Sequence, residues 1–135
     1  MKSILTIFSF VCSIGFSFGQ TNPIPENIKT LFEGKWVIVK KYQTNTVEIK
    51  FEKDKDYATL IDIGSGEAPP LFLKAYFQEG KLVIPAEVHK NIYVEMTLKN
   101  GKLILKKSPA IENEDGTYEK PKHFLTTVFN KVKIR

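Results

Sequence analysis

Two histidines, His89 and His123, and the acidic neighbour Glu87 are the side chains best suited to hold a divalent ion. Structural zinc sites take four protein ligands and catalytic ones three, so this set is at the lower limit. No His-x-x-x-His or similar spacing puts two of them on one face of an element. Solvated loop histidines are the simpler reading, and the sequence asks for no metal or other cofactor. Glu112-Asn113-Glu114-Asp115-Gly116 has the composition of a calcium loop. With Gly116 at loop position six, Ile111 takes position one and Lys122 position twelve, where acids are required. Gly64-Ser65-Gly66 lacks the spacing of a nucleophile elbow, and there is no glycine-rich phosphate loop. The sequence nominates no catalytic residue.

Lys40 raises a different question. In a strand the side-chain period is two, so Trp36, Ile38, Lys40 and Tyr42 share one face. If Trp36 points inward, Lys40 joins an interior lined by Val47, Ile61, Leu73, Ile84, Val94 and Leu105. A buried ammonium is costly unless something pairs with it. One reading makes Lys40 the anchor for a ligand carboxylate or phosphate, with Tyr42 beside it. The other is a bulge that turns Lys40 outward and buries Val37 and Val39 instead. The ligand-binding set on the first reading is Lys40, Tyr42, Ile63, Leu71, Leu73, Ile84, Ile92 and Val94. Its pocket opens toward Tyr42, Ile63, Leu71 and Ile92.

The elements that must position these residues are strands. Val47, Ile49 and Phe51 alternate with Glu48, Lys50 and Glu52. Ile92, Val94, Met96 and Leu98 alternate with Tyr93, Glu95, Thr97 and Lys99. Such alternation marks half-buried strands. Less regular runs cover residues 36–43, 57–63, 71–78, 82–86, 103–107 and 123–134, making eight strands. Before them, Ile28, Leu31 and Phe32 have helical spacing, with Pro25 at the start and Gly34 just past the end. Asn100-Gly101 and Glu79-Gly80 read as hairpin turns, and residues 53–56 as a tight polar turn. Successive hairpins give an up-and-down meander, and eight strands with one apolar face close into a barrel without open edges. The predicted fold is therefore all-β: a single eight-stranded meander barrel with a short N-terminal helix.

The first residues resemble an export signal. Lys2 precedes an uncharged apolar run, and Ser17-Phe18-Gly19 offers small residues for cleavage after Gly19. The run is shorter than the roughly 20 residues of a spanning helix. Residues 1–19 are thus expected to leave, and residues 20–135 to form one domain in the periplasm or outside the cell. Cys12 has Val11 before it, where a lipid-attachment site wants a small residue. Losing the signal removes this only cysteine, and lowers the net charge from +5 to +4 by loss of Lys2. Cysteine-based zinc sites and thiol catalysis are thereby excluded. Arg135 is the only arginine among twenty basic residues. Nucleic-acid readers lean on arginine for bidentate contacts, so the lysine coat implies a solvated surface that meets acidic envelope components.

Gly34-Lys35-Trp36, between a helical turn and the first of eight meandering strands, resembles the opening of the lipocalin-like barrels of the calycin group. The resemblance implies that Trp36 plugs the closed end of the barrel and that a late basic residue packs across its indole. Arg135 matches that residue, with Lys133 as substitute. Gly34, Trp36 and Arg135 are then closed-end structural residues. The short loop at residues 43–46 and the lack of cysteine bridges make the chain more similar to compact bacterial envelope domains than to animal transport lipocalins. With Trp36 at the closed end, the turns at residues 53–56, 78–81 and 99–101 lie there too. The longer connections at residues 64–70, 87–91 and 108–122 gather at the open end, where binding belongs. The expected function is non-catalytic binding of a small apolar or amphipathic ligand by a monomer. The alternative is an interaction module whose barrel is filled by its own side chains.

Overall fold

Period-two alternation becomes a closed wall in the computed structural model, which describes residues 23–133. The expected signal, its cleavage site, Cys12 and Arg135 lie outside the described residues. A seven-residue helix, α1 (Glu26–Phe32), leads into β1 (Gly34–Lys40), β2 (Gln43–Phe51), β3 (Tyr57–Gly64), β4 (Leu71–Gln78), β5 (Lys81–Ile84), β6 (Ile92–Lys99) and β7 (Lys102–Pro109). A two-stranded hairpin, β8 (Ile111–Glu112) and β9 (Tyr118–Glu119), precedes β10 (Leu125–Lys131). Eight strands close antiparallel in the order β1-β10-β7-β6-β5-β4-β3-β2, an up-and-down meander barrel. No described helix is long and apolar enough to cross a membrane.

The core follows from which face each strand turns inward. Trp36, Ile49, Leu82, Ile84, Met96 and Leu103 are at most 1% exposed and fill the barrel from its closed end. Phe32 and Ile24 cover them from α1 and its approach. Leu31, spaced to share the face of Ile28 and Phe32, is 56% exposed. Over so short a helix the apolar stripe is narrow, and Ile24 takes the remaining place. The inner face of β3 carries Ala58 and Leu60, whereas Ile61, expected inside, pairs with Phe72 on the outer face. Two adjacent apolar residues made that parity ambiguous, and the ladder through Ile49↔Leu60 decides it.

Turn chemistry fixes the hairpins at the closed end. Asn100 and Gly101 have φ of 53° and 72°, and Glu79 and Gly80 have 50° and 78°. Positive φ at both central residues matches the right-handed twist of the flanking strands. At the other end, β1 stops at Lys40 and Lys41-Tyr42 makes the turn. Residues 43–46, expected as a loop, belong to β2, with Gln43 opposite Lys40. They are polar because the barrel rim is wet on both faces.

Candidate functional site

Inward-facing positions become progressively exposed toward the open end, where the barrel is widest to solvent. On β1 the series Trp36, Ile38, Lys40 runs from buried through half-buried to exposed. No register shift interrupts β1 against β2, so no bulge turns Lys40 away from the face of Trp36. Val39, on the other face, is 75% exposed. Among the described strand pairs the register shifts in β2 against β3, between Thr46 and Val47. It ends the alternation of β3 near Asp62, whose carboxylate accepts the Gly64 N–H at 3.2 Å.

A cavity of about 400 Å³ occupies this mouth, lined by Leu71, Asn91, Ile92, Lys107, Ser108, Pro109 and Leu125. Its size suits a small ligand, for which pockets of roughly 300–1,000 Å³ are usual. The walls come from the starts of β4, β6 and β10 and the end of β7, all at the open end. Leu103 and Leu105 lie below on the same face of β7 as Lys107, so the Lys107 amine tops an otherwise apolar column. Among the described residues neither Lys107 nor Lys40 forms an ion pair. Two larger hollows, of about 720 and 550 Å³, lie at the closed end between turn residues and the Lys131–Val132 segment. The first is lined by Asn100, Lys102, Asn130, Lys131 and Lys133, the second by Thr30, Glu33, Lys35, Glu48 and Lys131, and the one large apolar side chain they share is Val132.

The residues expected from sequence divide into three groups. Leu71 and Ile92 line the cavity. Leu73, Ile84 and Val94 lie deeper, in the packed core. Lys40 stands on the rim, and Ile63 is half-buried in β3 outside the cavity lining. Tyr42 does not continue the inner face of β1: it occupies the turn and is 89% exposed. Asn91, Lys107, Ser108, Pro109 and Leu125 are the cavity residues that the sequence reading missed. Lys107 could have been found by extending the alternation of Leu103 and Leu105 by two residues.

His89 has a structural task. Beyond Ile84 the β5 ladder ends, and the Pro85 carbonyl turns to accept the Val88 and His89 N–H groups. The Lys74 N–H then donates to His89 Nε2 at 3.0 Å. Burial, and secondly the Lys74 ammonium, hold the imidazole below its ordinary pKa. The acceptor role requires a neutral ring with its proton on Nδ1. His123 is exposed, and no three His, Cys, Asp or Glu side chains converge among the described residues.

Outside the wall, the long connection from β7 to β10 folds back over β6. Glu95 faces outward yet is only 6% exposed. It accepts from Tyr93 Oη at 2.9 Å and pairs with Lys120 at 3.2 Å and Lys81 at 3.4 Å. Burial pushes the Glu95 carboxyl up, but the Tyr93 hydroxyl and the two ammonium groups outweigh it, and the pKa is lowered. Burial and the neighbouring Glu95 raise the Tyr93 hydroxyl to about 12, so it remains a donor. Phe124 packs near Tyr93, with ring centroids 6.1 Å apart. Pro109 and Leu125, at the two ends of this strap, both line the mouth.

At the closed end Trp36 is 1% exposed, and its indole N–H donates to the Phe32 carbonyl at 2.9 Å. This bond ties the end of α1 to the first strand. Gly34 has a φ of +125°, which side-chain-bearing residues rarely adopt, and a Cβ there would lie 3.3 Å from Lys131 Cε. The closed antiparallel eight-stranded barrel is compatible with a lipocalin-like fold. Compared with family models, curated proteins and solved structures, the chain gives no match.

Proposed function

We propose that the protein is an exported, non-catalytic, lipocalin-like binder of a small amphipathic ligand held at the mouth of its barrel. One observation carries the reading: the roughly 400 Å³ cavity that combines Leu71, Ile92, Pro109 and Leu125 with the Lys107 amine. An apolar tail would gain about 0.8 kcal/mol for each methylene removed from water against those side chains. The ammonium at the rim suits an acidic or strongly polar head, which stays near solvent. Because Leu73, Ile84 and Val94 are at most 4% exposed, the ligand lies above them and the deep barrel is self-filled. The same packing favours the second reading, an interaction module with a solid core.

Titration with an environment-sensitive fatty acid distinguishes the two. The binder reading expects a micromolar Kd, roughly −8 kcal/mol. Leu71→Lys should weaken binding at least tenfold, with the protein still folded. Lack of saturable binding by any apolar or amphipathic probe would remove the binder reading and leave the interaction module. Mass spectrometry of lipids and metabolites co-purifying with the native protein would then name the physiological ligand.

A further inference from the structure

Exposed apolar side chains and unopposed lysines meet on one sector of the open end, where β1, β10 and β7 are neighbours. Val39, Tyr42, Leu125 and Val128 are 75%, 89%, 72% and 45% exposed. Pairing of β1 with β10 covers two residue pairs, Trp36↔Lys131 and Val37↔Asn130. Continuing that register toward the open end puts Val39 level with Val128 on the outer face, while Tyr42, in the turn after β1, and Leu125, on the inner face at the start of β10, stand on the rim above them. Residues 37–43, 104–109 and 121–130 make up this sector and contain no carboxylate. They contain Lys40, Lys41, Lys106, Lys107 and Lys122, all exposed. The carboxylate-free stretch continues along β7 and β10 to Lys99, Lys102 and Lys131 at the closed end, where, among the described residues, no large apolar side chain as exposed as Val39 or Tyr42 stands beside the lysines. On β2 and on β5 and β6 lysines stand beside acids, as in Glu48 with Lys50 and Lys81 with Glu95.

We infer that this sector docks the open end of the barrel onto an anionic lipid surface. Aliphatic and aromatic side chains ringed by lysines can enter the headgroup region while the ammonium groups meet lipid phosphates. A water-exposed apolar patch on a monomer marks an interaction surface, and the charge selects the partner. A neutral protein face would leave Lys40, Lys41 and Lys122 without counter-charge, whereas an anionic bilayer supplies it at every position; Lys106 lies opposite Glu95 across the β6–β7 ladder. Lys107 and Leu125 also line the cavity, so the side chains that distinguish docking from ligand binding are Val39, Lys40, Lys41, Tyr42 and Lys122, which do not.

Flotation of the native protein, purified as the cell processes it, with phosphatidylcholine vesicles and with vesicles containing added phosphatidylglycerol tests this. Binding should require the anionic lipid and weaken as salt is raised. Lys40→Gln, Lys41→Gln and Lys122→Gln together should lower the partition coefficient on the order of a hundredfold. Val39→Ser with Tyr42→Ser should also release the protein, while leaving the fold intact because both positions are exposed. Orientation has its own readout. In vesicles with brominated acyl chains, a Tyr42→Trp variant should be quenched, whereas Trp36, at the opposite end, should not. Equal flotation of all variants, absence of anionic-lipid dependence, or quenching of Trp36 in the wild type would overturn the inference. So would concentration-dependent self-association abolished by Val39→Ser, which would assign the patch to a second copy of the chain.

Discussion

Lys131 Nζ lies 5.3 Å from the centroid of the Trp36 ring, at the point where the last strand of the barrel meets the first. The pair is held in register by the ladder itself, in which Trp36 is opposite Lys131. A basic residue over this indole was expected from the lipocalin-like resemblance, with Arg135 or Lys133 named for it. Lys131, the last residue of β10, is the basic residue over the ring among the described residues, and Arg135 lies outside them. An exposed cation over an aromatic face contributes about 0.5–1 kcal/mol. Lys131→Ala should therefore lower unfolding stability by up to about 1 kcal/mol and shift Trp36 emission, with ligand binding at the mouth unchanged. Urea titration followed by Trp36 fluorescence checks both. An unaltered emission spectrum would mean that the ammonium does not influence the ring.

The same corner shows what local patterns could reveal. Strand count, meander order and the two ends of the barrel are legible from alternation, from Asn100-Gly101 and Glu79-Gly80, and from which connections are long. The register of β10 is not, because residues 123–134 alternate poorly and offer no marker for where pairing with β1 begins. Lys41-Tyr42 is equally silent: a turn without Gly, Pro, Asn or Asp gives no break, so Tyr42 reads as a strand residue facing inward. Glu95 poses a harder problem. An outward acid in an alternating strand reads as solvated, and only the return of the β7–β10 strap over it makes it buried.

That strap gives the second prediction, which concerns acid stability. Glu95 has a folded pKa below its ordinary value of 4.5. The unfolded chain therefore binds this proton first as pH falls, and the stabilisation present above about pH 4.5 is lost on passing down through the folded pKa. Hydrogen bonds to a charged group contribute about 1.5–3 kcal/mol, so Glu95→Gln should destabilise by about 1–2 kcal/mol at pH 7 and flatten the acid limb. Lys120→Ala should cost less, about 0–1 kcal/mol, because Lys120 is largely exposed and Lys81 and Tyr93 remain. Both variants should make residues 110–124 more sensitive to protease. Identical pH profiles for wild type and Glu95→Gln would show that the carboxylate does not hold the strap.

His89 predicts a separate window. Its folded pKa is lowered from 6.5, first by burial and then by Lys74. Above pH 6.5 the ring is neutral in both states and the Lys74 N–H keeps its acceptor. As pH falls below 6.5 the unfolded chain protonates first, and stability declines through the folded pKa. His89→Ala should remove about 1 kcal/mol at pH 7.5 and abolish the part of the pH dependence that sets in as pH falls below 6.5, leaving the Glu95 limb. The tautomer can be read directly by nitrogen chemical shifts. A ring protonated on Nε2 at pH 7.5 would contradict the acceptor role.

Separating the mouth from the core is the last test, because the two proposed functions differ there. Ile84 is fully buried among Leu82, Val94 and Met96 levels of the core, whereas Leu71 is 53% exposed on the cavity wall. Truncating a buried isoleucine costs about 2–5 kcal/mol, by lost transfer energy and by the cavity left behind. Ile84→Ala should thus lower the urea midpoint sharply while leaving the Kd for a fatty-acid probe within about twofold, provided the protein is measured where it is folded. Leu71→Ser should do the reverse, with stability within about 0.5 kcal/mol of wild type and binding weakened several-fold. If the Ile84→Ala cavity instead raises affinity, the ligand reaches the deep barrel and the packed interior is only its resting state. If neither change alters binding, the probe is held away from the mouth, and Leu71, Ile92 and Leu125 must be read as part of an interaction surface.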